Sequence, residues 1–158
     1  LVEKDRVEDA KRMLETGKGK IILPVDTHAG DAFKGDCNKK IFEGNIDAQF
    51  EGLDIGPKSM TLFAETVRSA KTVVWNGPMG VFEIEPFAEG TVEVARAVAD
   101  ACDDGAVGVL GGGDSAAAAE RAGVVDRLTH VSTGGGASLE LLAGALLPGV
   151  EALTNRSA

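Results

Sequence analysis

Two stretches, VGVLGGGDSAAAAE and HVSTGGGASLELL, share one plan: a short apolar run, three consecutive glycines and a helix-forming segment, 23 positions apart. A strand that turns through glycines straight into a helix is half of a βα crossover unit, and two in succession demand a parallel sheet wrapped by right-handed connections. The remaining periodicity agrees. Val7, Ala10 and Leu14 predict a helix over 4–16 that ends at Gly17, and the apolar run 21–25 suits a buried parallel strand. Pro57 fits the first turn of a helix carrying Phe63, Val67 and Ala70, followed by a strand over 73–76. Val94, Val98 and Ala101 place a helix over 88–102 before a strand at 107–110. A helix over 115–122 stops at Gly123, a strand covers 130–132, and a last helix presents Leu139, Leu142 and Leu146 and stops before Pro148. Only 28–56 lacks periodicity, and it is expected to be a long excursion with a hairpin. The fold class expected is α/β, a parallel sheet with flanking helices. Ligands of such sheets sit at the carboxyl ends of the strands, where Asp26, NGPMG, GGGD and STGGG are expected to gather on one edge.

Charge narrows the ligand. Asp and Glu outnumber Lys and Arg by 25 to 16, a net charge of −9, which argues against nucleic acid and anionic membranes as partners. The imbalance lies in residues 80–158, with 4 cations against 12 acids, and no lysine follows Lys71. A phosphate site at the glycine turns therefore has to rely on backbone amides or on residues elsewhere. No apolar run reaches the roughly 18 residues of a membrane span, and the opening LVEKDRVEDAKRML is too polar for a signal peptide, so a cytoplasmic location is expected. Cys37 and Cys102 form no CxxC pair and are expected to be inert thiols. A chain that opens on Leu1 rather than Met is expected to be a piece of a longer one.

Each glycine turn suits an anion, because successive N–H groups and a helix N-terminus converge there; tight βα packing is the competing explanation. Neither turn is a GxGxxG fingerprint and there is no GxxxxGK[ST], which disfavours a nicotinamide-dependent oxidoreductase and a P-loop enzyme. Asp114 reads either as an N-cap or as a carboxylate for Mg²⁺ beside phosphates. Asn76, at a strand end before Gly77-Pro78, is either a turn residue or a donor to a phosphate or base edge. Glu83 is either a solvated loop carboxylate or a ribose ligand. Trp75 reads as core, and His28 and His130 have no metal or triad spacing.

VVWNGPMGVFE, GGGDSAAA, HVSTGGGASLELL and LPGVEAL, in this order and preceded by GLDIGP, resemble the C-terminal part of phosphoglycerate kinases over nearly the whole chain. The resemblance implies an incomplete, Rossmann-like three-layer C-terminal domain of a two-domain kinase. Residues 1–158 would be part of the nucleotide-binding domain, and the substrate domain and first strands would lie outside them. The implied reaction moves a phosphoryl group between 1,3-bisphosphoglycerate and ADP, giving 3-phosphoglycerate and ATP, with Mg²⁺, in a complete protein expected to be monomeric. Asp114 becomes the Mg²⁺-nucleotide carboxylate, with Gly111, Gly112, Gly113 and Ser115 beside the phosphates. Asn76 approaches the phosphate end, Leu53, Pro78 and Val81 line the nucleoside pocket and Glu83 binds ribose. The amides of Gly134, Gly135 and Gly136 would stabilise the transferring group. A non-catalytic Mg-nucleotide-binding fragment is the alternative. One departure is Ala143 and Ala145, where the family often has Glu and Lys.

Overall fold

The computed structural model describes residues 3–153. The chain divides into two compact units, Leu1–Leu62 with Met79–Gly90, and Phe63–Pro78 with Thr91–Ala158.

In the first unit a single 3-10 turn (Lys4–Arg6) leads into α1 (Val7–Thr16), closed by the Gly17 amide on the Met13 carbonyl. No residue of α1 is buried: its charged face is laced by Lys11 to Glu8 and Arg12 to Asp9, while Met13 and Leu14 meet solvent. The expected strand at 21–25 does not form. Ile21, Ile22, Leu23 and Val25 are about half-exposed, because no described strand accepts or donates along that run. The segment 28–56 is more ordered than its sequence suggests. β1 (Thr27–Gly30), β2 (Lys39–Phe42) and β3 (Glu51–Ile55) form an antiparallel sheet in the order β2-β1-β3, with the expected hairpin joining β1 to β2. The β1 to β3 register shifts between His28 and Ala29. Its core is Cys37, Leu53 and Phe87, against which Ala32, Val81 and Ile84 pack.

Pro57 opens α2 (Pro57–Arg68), as expected. The first-turn amides of Lys58 and Ser59 donate to the Asp26 carboxylate at 3.0 and 2.8 Å, and the Ser59 hydroxyl donates to it at 2.6 Å. Asp26 is thus a cap brought from a distant stretch of chain, and not a member of the parallel-sheet edge.

In the second unit β4 (Thr72–Asn76), β5 (Val107–Gly111) and β6 (His130–Ser132) form a parallel sheet in the order β4-β5-β6. Three strands, not four, share it. α3 (Glu89–Asp103) buries Val94, Val98 and Ala101, the residues its periodicity selected, and Cys102 Sγ fills the space where a Cβ of Gly108 would lie. Arg68 ties to Glu93 and Asp100, and Arg127 to Asp100 and Asp103, an exposed network that spans three segments. α4 (Gly113–Ala122) begins two residues earlier than expected and closes on Gly123, whose amide returns to Ala119. α5 (Gly135–Leu142) is shorter than expected. Gly144 takes a left-handed conformation, φ 84°, that ends the helical path before Leu146, and Pro148 starts a separate turn, α6 (Pro148–Glu151). The leucine face foreseen for one helix is therefore split, and Leu139, Leu142 and Leu146 are exposed.

Among the described residues no helix is long and apolar enough to cross a membrane.

Candidate functional site

The parallel register sets the site in the second unit. Asn76 pairs with Gly111, and Gly111 with Ser132, so three strands end in one level row. The three expected turns leave from that row side by side. Gly112 donates its amide to the Ser132 carbonyl at 2.9 Å, and its Cα would lie 3.0 Å from a Cβ on Gly135. The Asn76 amide nitrogen fits into the same gap, 3.0 Å from where a Cβ of Gly111 would be and 3.6 Å from that of Gly135. A methyl group on Gly135 would press on the Gly112 backbone, which cannot yield as a flexible side chain can.

Ser115, fully buried in the first turn of α4, accepts the Gly77 amide at 2.6 Å, while the Trp75 indole donates to the Gly77 carbonyl at 2.8 Å. The Asn-Gly-Pro turn is thereby fastened to the GGGD turn. In the other triplet Gly134 donates to the Ser132 hydroxyl and Gly135 to the Thr133 carbonyl, and the Ser138 hydroxyl closes on the Gly134 carbonyl at 2.6 Å. Among the described residues, local bonds thus engage two of the three glycine amides and leave that of Gly136 open at the start of α5. Those of Gly113 and Asp114 are likewise open at the start of α4. The Ser132 and Ser138 hydroxyls both serve the backbone.

Asp114 is not the N-cap. Gly112 holds that position, with no side-chain cap, and Asp114 stands exposed in the first helical turn with no hydrogen bond or ion pair among the described residues. A carboxylate there is favoured by the helix dipole and free to take a cation. Among the described residues no group of three or more His, Cys, Asp or Glu could cage a metal, so any ion here would be shared with a ligand.

The first unit has its own recess, about 370 Å³, lined by Pro24, Thr27 and residues 52–55 and 79–81. Leu53 and Val81 therefore share a wall, as expected, joined by the Val81 amide on the Leu53 carbonyl at 2.8 Å. Pro78 and Glu83 do not line it, and Glu83 is exposed. Sequence reasoning missed Asp54. Its buried carboxylate accepts the amides of Ile55 and Gly90, both at 2.8 Å. Burial, helped by the nearby Glu89 charge, pushes it up to about 6 against those two amides. The available signal was an acidic residue between two apolar ones in GLDIGP. For Asp26 burial pushes the carboxyl up, but the Ser59 hydroxyl and the Lys58 and Ser59 amides outweigh it and hold it below the usual range. His28 rests on the Phe87 ring, centroids 5.0 Å apart, and burial lowers it.

Comparison with known proteins fits this geometry. A family model described as phosphoglycerate kinase matches residues 1–145. The chain is 53% identical over 154 residues to a phosphoglycerate kinase of Salinibacter ruber, covering 98% of this chain and 39% of that protein. Against one from Chloroherpeton thalassium it is 55% identical over 159 residues, covering 98% and 40%. Among solved structures, a phosphoglycerate kinase from Coxiella burnetii superposes with a TM-score of 0.86 at 35% identity, over 94% of this chain and 39% of that one. One from Pyrococcus horikoshii gives 0.79 at 37%, over 94% and 36%. The chain spans about two-fifths of the length of the curated relatives it matches.

Proposed function

Because the chain belongs to the phosphoglycerate kinase family, we propose that it carries the nucleotide half of a Mg²⁺-dependent phosphoryl transfer between 1,3-bisphosphoglycerate and ADP. A β-phosphate oxygen of ADP attacks the acyl phosphorus, the bond from phosphorus to the acyl oxygen breaks, and 3-phosphoglycerate leaves as its carboxylate beside ATP. The observation that carries this reading is the level row Asn76, Gly111 and Ser132, from which two touching glycine turns enter helices with open N-terminal amides. Loose phosphoryl transition states spread charge over several oxygens, and fixed amides stabilise that charge without reorganising.

Gly111, Gly112, Gly113 and Ser115 form the turn proposed to hold the nucleotide phosphates, and Asn76 lends its amide to them. Gly134, Gly135 and Gly136 shape the second turn, with the open Gly136 amide as the donor to the transferring group. Leu53 and Val81 give an apolar wall for the nucleoside, and Pro78 and Glu83 are assigned to the nucleoside and to ribose on the family likeness alone. The residues fit Mg²⁺: one unpaired hard carboxylate, Asp114, suits an ion that otherwise keeps water and phosphate oxygens. When bound, Mg²⁺ would neutralise phosphate charge. With no lysine after Lys71, the remaining cationic groups would come from outside these residues.

The test is calorimetry and coupled turnover on the full-length protein. MgADP binding that is lost in Asn76→Ala, together with ATP formation from 1,3-bisphosphoglycerate, supports the reading. Binding without turnover would favour a non-catalytic nucleotide-binding protein.

A further inference from the structure

The phosphoryl-transfer chemistry makes no use of the buried Asp54 carboxylate, yet the first unit is organised around it. One oxygen accepts the Ile55 amide on β3, and the other the Gly90 amide in the first turn of α3. Both carboxylate oxygens are therefore used as acceptors, whereas an asparagine would present one oxygen and, in place of the other, an NH2 donor. Gly80 and Gly90 press against it so closely that a Cβ on either would overlap the carboxylate. Gly80 stands between Met79 and Val81 in the recess wall, and Val81 is itself bonded to Leu53, the neighbour of Asp54. The carboxylate thus touches both walls of the recess and the Gly90 backbone that closes the first unit.

We propose that Asp54 is a positioning residue for nucleotide binding: as a carboxylate it clamps the 79–81 wall against β3, and so sets the width of the recess that receives the nucleoside. This rests on reading the recess as the nucleoside pocket. The charged form is the one that accepts both amides, and protonation converts one acceptor into a hydroxyl that faces a donor. Binding and deprotonation of Asp54 are therefore coupled, each favouring the other. The groups around it are Glu89, which opposes its charge, and His28, its register partner on β1, which also senses Glu89 and Lys39.

The experiment uses the full-length protein and adenosine, whose charge does not change between pH 5 and 8. Wild-type affinity is expected to fall about tenfold from pH 7.5 to 5, and saturating adenosine should move the carbon-13 NMR titration midpoint of Asp54 to lower pH. Asp54→Asn, which keeps the shape but not the second acceptor, should bind more weakly at pH 7.5 and show no such pH dependence. A midpoint unmoved by bound adenosine overturns the proposal, and this readout needs no variant to fold. So does an Asp54→Asn profile parallel to wild type, which would assign the dependence to His28 or Glu89. Failure of adenosine, ADP and ATP alike to bind wild type overturns the nucleotide reading itself, and the proposal with it.

Discussion

Asp26 and Asp54 are both buried acids of one unit, but their surroundings push them in opposite directions, and stability should record this with opposite signs. Asp54 is raised to about 6 from an ordinary 3.8, so its favourable contribution is complete below pH 4 and is lost as pH rises through 6. The loss amounts to about 3 kcal/mol. Asp26 is lowered, so its contribution is present above pH 4 and lost on further acidification. Urea midpoints of the full-length protein measured from pH 3 to 8 should show a shallow optimum, with the alkaline side flattened by Asp54→Asn and the acid side by Asp26→Asn. Asp114 belongs to the other class of acid, exposed and unpartnered. Since it caps nothing, Asp114→Ala should change unfolding free energy by no more than about 0.5 kcal/mol, while kcat falls by a factor of 100 or more, about 3 kcal/mol. Comparable losses in the two would remove it from the site. Of these residues only Asp114 was legible in the sequence, because its glycine turn announces it. The partners of Asp54, Gly80 and Gly90, lie 26 and 36 positions downstream, and local pattern carries no trace of such contacts.

Among the elements, the βα units were readable because each strand and helix there is specified locally. Val94, Val98 and Ala101 mark the buried side of α3, and Gly123 its neighbour's end, without reference to the rest of the chain. The antiparallel sheet was not. Its strands are four or five residues long and show no alternation of buried and exposed positions, since β3 buries Leu53, Asp54 and Ile55 in succession. The run 21–25 misled for the complementary reason: apolar character gives a strand only when another strand is there to pair with it. The contact between the two glycine triplets makes an element-scale prediction. Gly135→Ala places a methyl against the Gly112 backbone and should cost about 1 to 3 kcal/mol. Ser115→Ala, which leaves the Gly77 amide without its acceptor, should cost about as much. Thermal unfolding measures both, and a neutral Gly135→Ala would mean that the triplets are spaced apart.

For the molecule as a whole, the apolar surface left open by the described residues is considerable. Ile21, Ile22, Leu23 and Val25 in the first unit, and Leu139, Leu141, Leu142 and Leu146 in the second, are all exposed. Taken by itself the chain should bind 1-anilinonaphthalene-8-sulfonate and unfold over a broad denaturant range. The full-length protein should do neither, and a sharp dye-free transition in the isolated chain would show that it stands alone. The level row of strand ends has a different consequence, for length. One residue inserted within β4, β5 or β6 would raise its turn by about 3.3 Å above the other two and turn the following side chains to the opposite face. At the other end of the sheet space is not what constrains the chain: Gly105, in the loop before β5, holds φ 91° but has no atom near the place a side chain would occupy. Insertions and deletions should therefore accumulate among descendants of this sequence on that side alone, with the distance from each strand's last residue to its helix held constant.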